Sequence, residues 1–196
     1  SRRQRQMCIR DRWNDHSKFE DKHAFLSPSK HTWLRYNTET LRQRYFNEQA
    51  KQRGTELHEF AAKCIKLRQR LPKQPRTLNM YVNDAIGYCM DPEVLLFYSP
   101  NCFGHADTIS YRKNFLRIHD LKTGENPVSM DQLMIYAALF CLEYKIRPTS
   151  LDGSELRIYQ KDQVICHNPE AADIKDICNK IVQFDTELSK IQLEEE

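Results

Sequence analysis

Two stretches in the middle of this chain alternate apolar and polar residues, and only three residues separate them. Phe103 to Tyr111 and Phe115 to Lys122 flank Arg112-Lys113-Asn114. Such alternation marks strands with one buried face, and a short polar separator between them predicts an antiparallel hairpin. Successive side chains of a strand point to opposite sides. Asp120 and Lys122 therefore share a side, flanking Leu121. In the partner strand Phe103, His105, Asp107, Ile109 and Tyr111 are expected on one face. Folding at 112–114 then brings Asp107 near Asp120, with an amine beside them, at the end of the hairpin away from its turn.

The rest of the chain supplies helices and further strands. Ser27-Pro28 reads as a helix start, with Trp33 and Leu34 facing the core. A second start at Thr38-Glu39 leads into a helical pattern running to Leu71, in which Gly54 marks a break or a close contact. Leu78 to Met90 places Tyr81, Val82, Ala85, Ile86 and Cys89 on one helical face. Val94 to Tyr98 suits a short buried strand. Ser129 to Tyr144 is helical and strongly apolar. Glu155 to Tyr159 and Gln163 to Cys166 read as a second hairpin turning at Lys161-Asp162, and Ala171 to about Ile191 as a final amphipathic helix. This order predicts an α/β fold with a central mixed β-sheet flanked by α-helices on both faces.

A length of 196 residues suits one domain with a sizeable core. Residues 1–12 carry no hydrophobic period and are set apart as a non-native or disordered segment, leaving 13–196 as a single domain. The alternative is a basic arm that touches nucleic acid. No apolar stretch reaches the roughly 18 residues of a membrane span, and no secretory signal is visible, so a cytoplasmic location is expected. The seven cysteines are odd in number, widely spaced and free of C-x-x-C pairs. That pattern argues for reduced thiols, mostly small core residues, and against a disulfide framework or a zinc ribbon. The net charge of +3 is unevenly spread. From Arg35 to Arg76 eleven Lys/Arg face four Asp/Glu, whereas from Ala171 to Glu196 seven Asp/Glu face three Lys. The basic half suits a phosphate backbone. Solvated helix faces would give the same counts.

Two carboxylates and an ammonium gathered on one hairpin invite a chemical reading. A phosphodiester is anionic and resists water. Its hydrolysis calls for a cation that neutralises developing charge and makes hydroxide available near neutral pH. Mg²⁺ or Mn²⁺ takes hard oxygen ligands, commonly a couple of carboxylates with water completing the shell. A neighbouring lysine orients or deprotonates the water, or stabilises the charged transition state. The plainer reading is a surface ion pair between Asp120 and Lys122, with Asp107 unrelated.

Four elements in order strengthen the chemical reading. They are Gly54-Thr55-Glu56-Leu57-His58, then Phe103-Gly104-His105-Ala106-Asp107, then His119-Asp120-Leu121-Lys122-Thr123-Gly124, then Gln132 with Tyr136 one helical turn on. Together they resemble the RecB-like branch of the PD-(D/E)XK nuclease superfamily, which includes CRISPR-associated and phage-encoded exonucleases. The resemblance spans about Leu26 to Tyr144. It implies a restriction-endonuclease-like core and a Mg²⁺- or Mn²⁺-dependent deoxyribonuclease, an exonuclease in phage DNA replication, recombination or repair, working in the cytoplasm of a bacterial host.

It also implies roles. Asp107, Asp120 and Lys122 are catalytic, the metal ligands are His58, Asp107, Asp120 and the Leu121 carbonyl, and Gln132, Tyr136 and Thr123 support the lysine or the substrate. Its partners would be single-stranded DNA or duplex ends and a replication or recombination protein, and its relatives include both monomers and toroidal oligomers. Some relatives carry an iron–sulfur cluster. The wide spacing of Cys141, Cys166 and Cys178 departs from that signature, so none is expected. Trp33, Tyr36, Tyr45 and Phe46 are candidates to stack bases. Two other classes compete: a catalytically silent nucleic-acid-binding module on the same fold, and an interaction protein whose acidic tail recruits a partner.

Overall fold

The computed structural model describes residues 17–19, 22 and 24–194. The expectation for residues 1–12 lies outside them. The chain forms two compact units, one reaching Gln49 and one running from Ala50 to the end. No helix among the described residues is long and apolar enough to cross a membrane.

In the first unit, Pro28–Arg35 is a 3-10 helix in place of the expected α-helix, with non-helical dihedrals at Lys30. The tighter winding changes which residues face inward. Trp33 is half-buried and its indole N–H donates to the Ser27 carbonyl at 2.8 Å, but Leu34 is 72% exposed. Tyr45 and Phe46 are also exposed, with Phe25 set edge-on to Tyr45. Helix α1 (Thr38–Lys66) crosses the boundary between the units.

The second unit holds the sheet. Its strands β1 (Asp91–Ser99), β2 (Cys102–Arg112), β3 (Phe115–Leu121), β4 (Gly153–Gln160) and β5 (Gln163–His167) pair in sequence order. All neighbours are antiparallel except β3 and β4. A parallel pair needs a crossover, and helix α3 (Asp131–Glu143) lies within it. Helix α2 (Thr77–Gly87) precedes the sheet and α4 (Ala171–Glu194) follows it. The mixed sheet flanked by helices is as the sequence predicts.

Both hairpins turn on two residues with positive φ: Lys113 (49°) with Asn114 (60°), and Lys161 (51°) with Asp162 (57°). Two-residue turns of this kind match the twist of the strands they join. Strand β1 differs from expectation. It lies at the sheet edge, and while Leu96 is buried, Leu95 and Phe97 are exposed. An unbroken apolar run reads as buried on both faces, yet an edge position covers only one.

Two cores hold the layers together. Leu116, Ile118, Leu156 and Ile158 pack with Leu133, Ala137, Phe140 and Cys141 of α3 and with Ile174 and Cys178 of α4. Seven of the thirteen α3 residues are buried, so this helix is apolar nearly all round. Across the sheet, Leu121 and Tyr159 pack with Ala61, Cys64 and Ile65 of α1 and with Tyr81, Val82 and Ala85 of α2. Among the described cysteines Cys64, Cys141 and Cys178 are buried, whereas Cys89 and Cys166 are exposed, so only part of the set serves as core. The exposure of Cys89 follows from α2 ending at Gly87, before the face predicted for it is complete.

Candidate active site

Every residue of the candidate site belongs to the second unit. Strand β2 brings Asp107 to it by an irregularity. Gly104 and Ala106 face the α3 side, where a Cβ on Gly104 would lie 3.1 Å from the Tyr136 ring and where Ala106 joins the core. Ile109 joins that same core and Tyr111 touches the Phe140 ring, although both belong to the opposite phase of the alternation. The period therefore slips by one between Ala106 and Ile109, at Asp107. Opposite this point the β1 register passes from Pro92 to Val94 across Glu93, whose φ is 52°. The expected single face of Phe103, His105, Asp107, Ile109 and Tyr111 is thus broken, and His105 is exposed.

One Asp107 oxygen, Oδ2, accepts the Leu121 backbone N–H at 2.9 Å, and His58 Nδ1 lies 3.5 Å from the same oxygen. Burial raises the Asp107 carboxyl above its ordinary value of 3.8. The charge of Asp120 adds to the rise, while the Leu121 N–H, His58 and Lys122 oppose it. The charge of one acid is thus felt at the other across the hairpin.

Asp120 is 2% exposed. Lys122 Nζ lies 3.0 Å from its Oδ2, so the buried carboxylate is paired with the ammonium. The same ammonium donates to Gln132 Oε1 at 2.8 Å. Gln132 stands in the first turn of α3, which fixes the amine from the far side. Its helical neighbour Tyr136 does not join it. The Tyr136 hydroxyl donates to the His105 carbonyl at 2.5 Å, and its ring rests on Gly104. Tyr136 therefore anchors β2, not the lysine.

The donors present suit a hard cation in one respect and not in another. Among the described residues no three His, Cys, Asp or Glu side chains converge as a ligand set. His58 faces Asp107, while Asp120 faces Lys122. The implied three-side-chain set with His58 is thus not assembled. The buried Asp120 carboxylate, paired with Lys122, and the Asp107 carboxylate nevertheless suit a small divalent ion that keeps several waters and takes one or two carboxylates.

Comparison with family models, with curated proteins and with solved structures finds no match to this chain.

Thr123 follows the lysine, and its Oγ1 lies 2.8 Å from where a Cβ on Gly54 would stand. The glycine in α1 thus permits a close approach, the second of the two roles the sequence allowed it. Beyond Thr123, Gln160 Nε2 donates to the Gly124 and Asn126 carbonyls at 2.6 and 2.9 Å and holds the loop against β4.

Several residues behind the site carried no signal read from the sequence. Tyr81 is buried beside Thr108, and burial first, then the charge of Asp107, keeps its hydroxyl neutral. On the same face a buried polar layer joins β3, β4 and α2. Arg157 reaches Glu155 at 3.0 Å, Asp84 at 3.3 Å and the Tyr88 hydroxyl at 3.0 Å, and Tyr159 donates to Asp84 at 2.7 Å. His119 lies inside this layer. Burial, with Arg157 and Arg117 beside it, lowers its pKa to about 3 and keeps it neutral. The alternation Glu155, Arg157, Tyr159 in β4 was the available signal, since charged residues at an inward phase announce a paired interior.

Proposed function

We propose that this chain is a metal-dependent nuclease that hydrolyses phosphodiester bonds of DNA, on a restriction-endonuclease-like core. The observation that carries the reading is Asp120. Its buried carboxylate meets the Lys122 ammonium at 3.0 Å and its charge is felt at Asp107, so two acids and an amine gather where a divalent ion could join them. Asp107 and Asp120 would hold Mg²⁺ or Mn²⁺, with the Leu121 carbonyl nearby and His58 supporting Asp107. When bound, the ion supplies Lewis-acid stabilisation of the charged phosphate and a more acidic water.

The chain's own groups do the rest. Lys122, held by Gln132, presents its ammonium to the attacking water or to the phosphate oxygens. The Leu121 N–H orients Asp107. Tyr136 holds β2 at His105, two residues before Asp107. The basic residues from Lys51 to Arg76, in the same unit as the site, would supply phosphate contacts. The cellular setting implied is phage replication, recombination or repair, with an exonucleolytic mode.

One observation favours the silent binding module: the pairing of His58 with Asp107, which leaves no three ligating side chains together. End-labelled linear DNA with Mn²⁺ separates the two readings. The nuclease reading expects cleavage by the wild type that Asp120→Asn abolishes. Binding of the same DNA without cleavage at any Mn²⁺ concentration supports the silent module and overturns the nuclease.

A further inference from the structure

A cavity of about 240 Å³ opens beside the candidate lysine. It shares Leu121 and Lys122 with the site and is lined by Leu57, Leu78 and Leu121 and by Lys122, Lys161 and Glu125. The volume falls below the roughly 300–1,000 Å³ that accepts a drug-sized molecule, so a single ring system is what fits. A phosphate gains nothing from three leucines, whereas the flat face of a base buries apolar surface on them. The two lysines sit where the charged backbone on either side of that base would run. Lys161 is held there by the positive-φ turn and by Glu125, 3.4 Å away.

We propose that this cavity seats one unpaired nucleobase, that of the nucleotide adjoining the scissile phosphate. The inference rests on the nuclease reading and narrows its substrate to single strands and frayed ends. A base inside a duplex stack cannot reach a pocket without leaving the stack. The three leucines make no directed hydrogen bonds, so their contact accepts any of the bases.

The test uses the full chain with Mn²⁺ and single-stranded oligonucleotides carrying one abasic residue at successive positions. The expected result is that an abasic residue at one position flanking the cut lowers kcat/KM about tenfold, the effect of losing one base contact. Leu57→Trp, at an exposed α1 position, is expected to fill the cavity, lower kcat/KM on the intact strand by a similar factor, and erase the difference between intact and abasic strands. A second readout needs no turnover: with Ca²⁺ in place of Mn²⁺, 2-aminopurine at the flanking position changes emission on binding.

Cleavage indifferent to abasic residues at every position, or unchanged emission at every position, overturns the pocket and leaves the nuclease standing. Absence of cleavage on every strand overturns the nuclease reading and the pocket with it.

Discussion

Lys122 is the side chain on which the account is most exposed to test at the residue scale. Its ammonium is shared between the Asp120 carboxylate and the Gln132 amide. Lys122→Ala is expected to lower the cleavage rate by about 100-fold or more, the usual scale for removing a preorganised charge from a transition state. Gln132→Ala keeps the charge and frees its position, so a smaller loss of about tenfold is expected, with KM little changed. Single-turnover rates on linear DNA check both.

His119 supports a prediction about stability. Its pKa is lowered to about 3 in the fold from an ordinary 6.5, so the unfolded chain binds the proton more readily. Folding stability is then full above pH 6.5 and falls as pH drops from there toward 3. Replacing His119 by Gln is expected to flatten that stretch of the stability–pH curve, measured by urea unfolding. A slope unchanged between pH 6.5 and 4 contradicts the assignment.

The β2–β3 register, from Arg112 opposite Phe115 to Thr108 opposite His119, was legible from the sequence because a two-residue turn makes it simple arithmetic. The role of Tyr136 was not, because a helical turn of spacing says which face a residue takes and nothing of what lies opposite.

At the scale of elements, the turns and the close approach at Gly54 carry the predictions. Lys113 and Asn114 both hold positive φ, which asparagine tolerates and lysine does not. Lys113→Gly is expected to stabilise the fold by about 1 kcal/mol, the scale of a left-handed conformation forced on a residue with a Cβ. Gly54 is opposite in sign. An alanine there would place its Cβ 2.8 Å from Thr123 Oγ1, so Gly54→Ala is expected to destabilise despite better helix propensity. In a Thr123→Ala background the same change is expected to gain about 1 kcal/mol, since only the propensity term remains. Thermal melts of the four chains close that cycle.

Element ends were the part of the fold least legible in the sequence. Helix α1 stops at Lys66, not Leu71, through a left-handed Arg68 with Gln69 N–H bonded to the Cys64 carbonyl at 2.9 Å. Helix α2 ends the same way at Cys89, with Met90 N–H bonded to the Ala85 carbonyl at 2.8 Å. Both are helix terminations that usually advertise themselves with glycine. With Arg and Cys in that position, periodicity alone overruns the boundary. The slip of alternation at Asp107 was hidden for a related reason: it is set by backbone geometry in β1 and β2 together, and the local signal, Pro92 beside Glu93, does not say which β2 residue lies opposite.

For the whole molecule, the nuclease proposal makes DNA the ligand of a chain with a net charge of +3. DNA affinity is expected to fall steeply and linearly on a log–log plot against salt, as phosphate contacts release counterions. The central claim is narrower than that: Asp107 and Asp120 share one divalent ion. Calorimetric titration of Mn²⁺ into the metal-free chain tests it most directly. The account predicts one site per chain, a melting temperature raised by the bound ion, and loss of both in Asp107→Asn and in Asp120→Asn. Binding of equal stoichiometry and affinity in the wild type and both variants would contradict it.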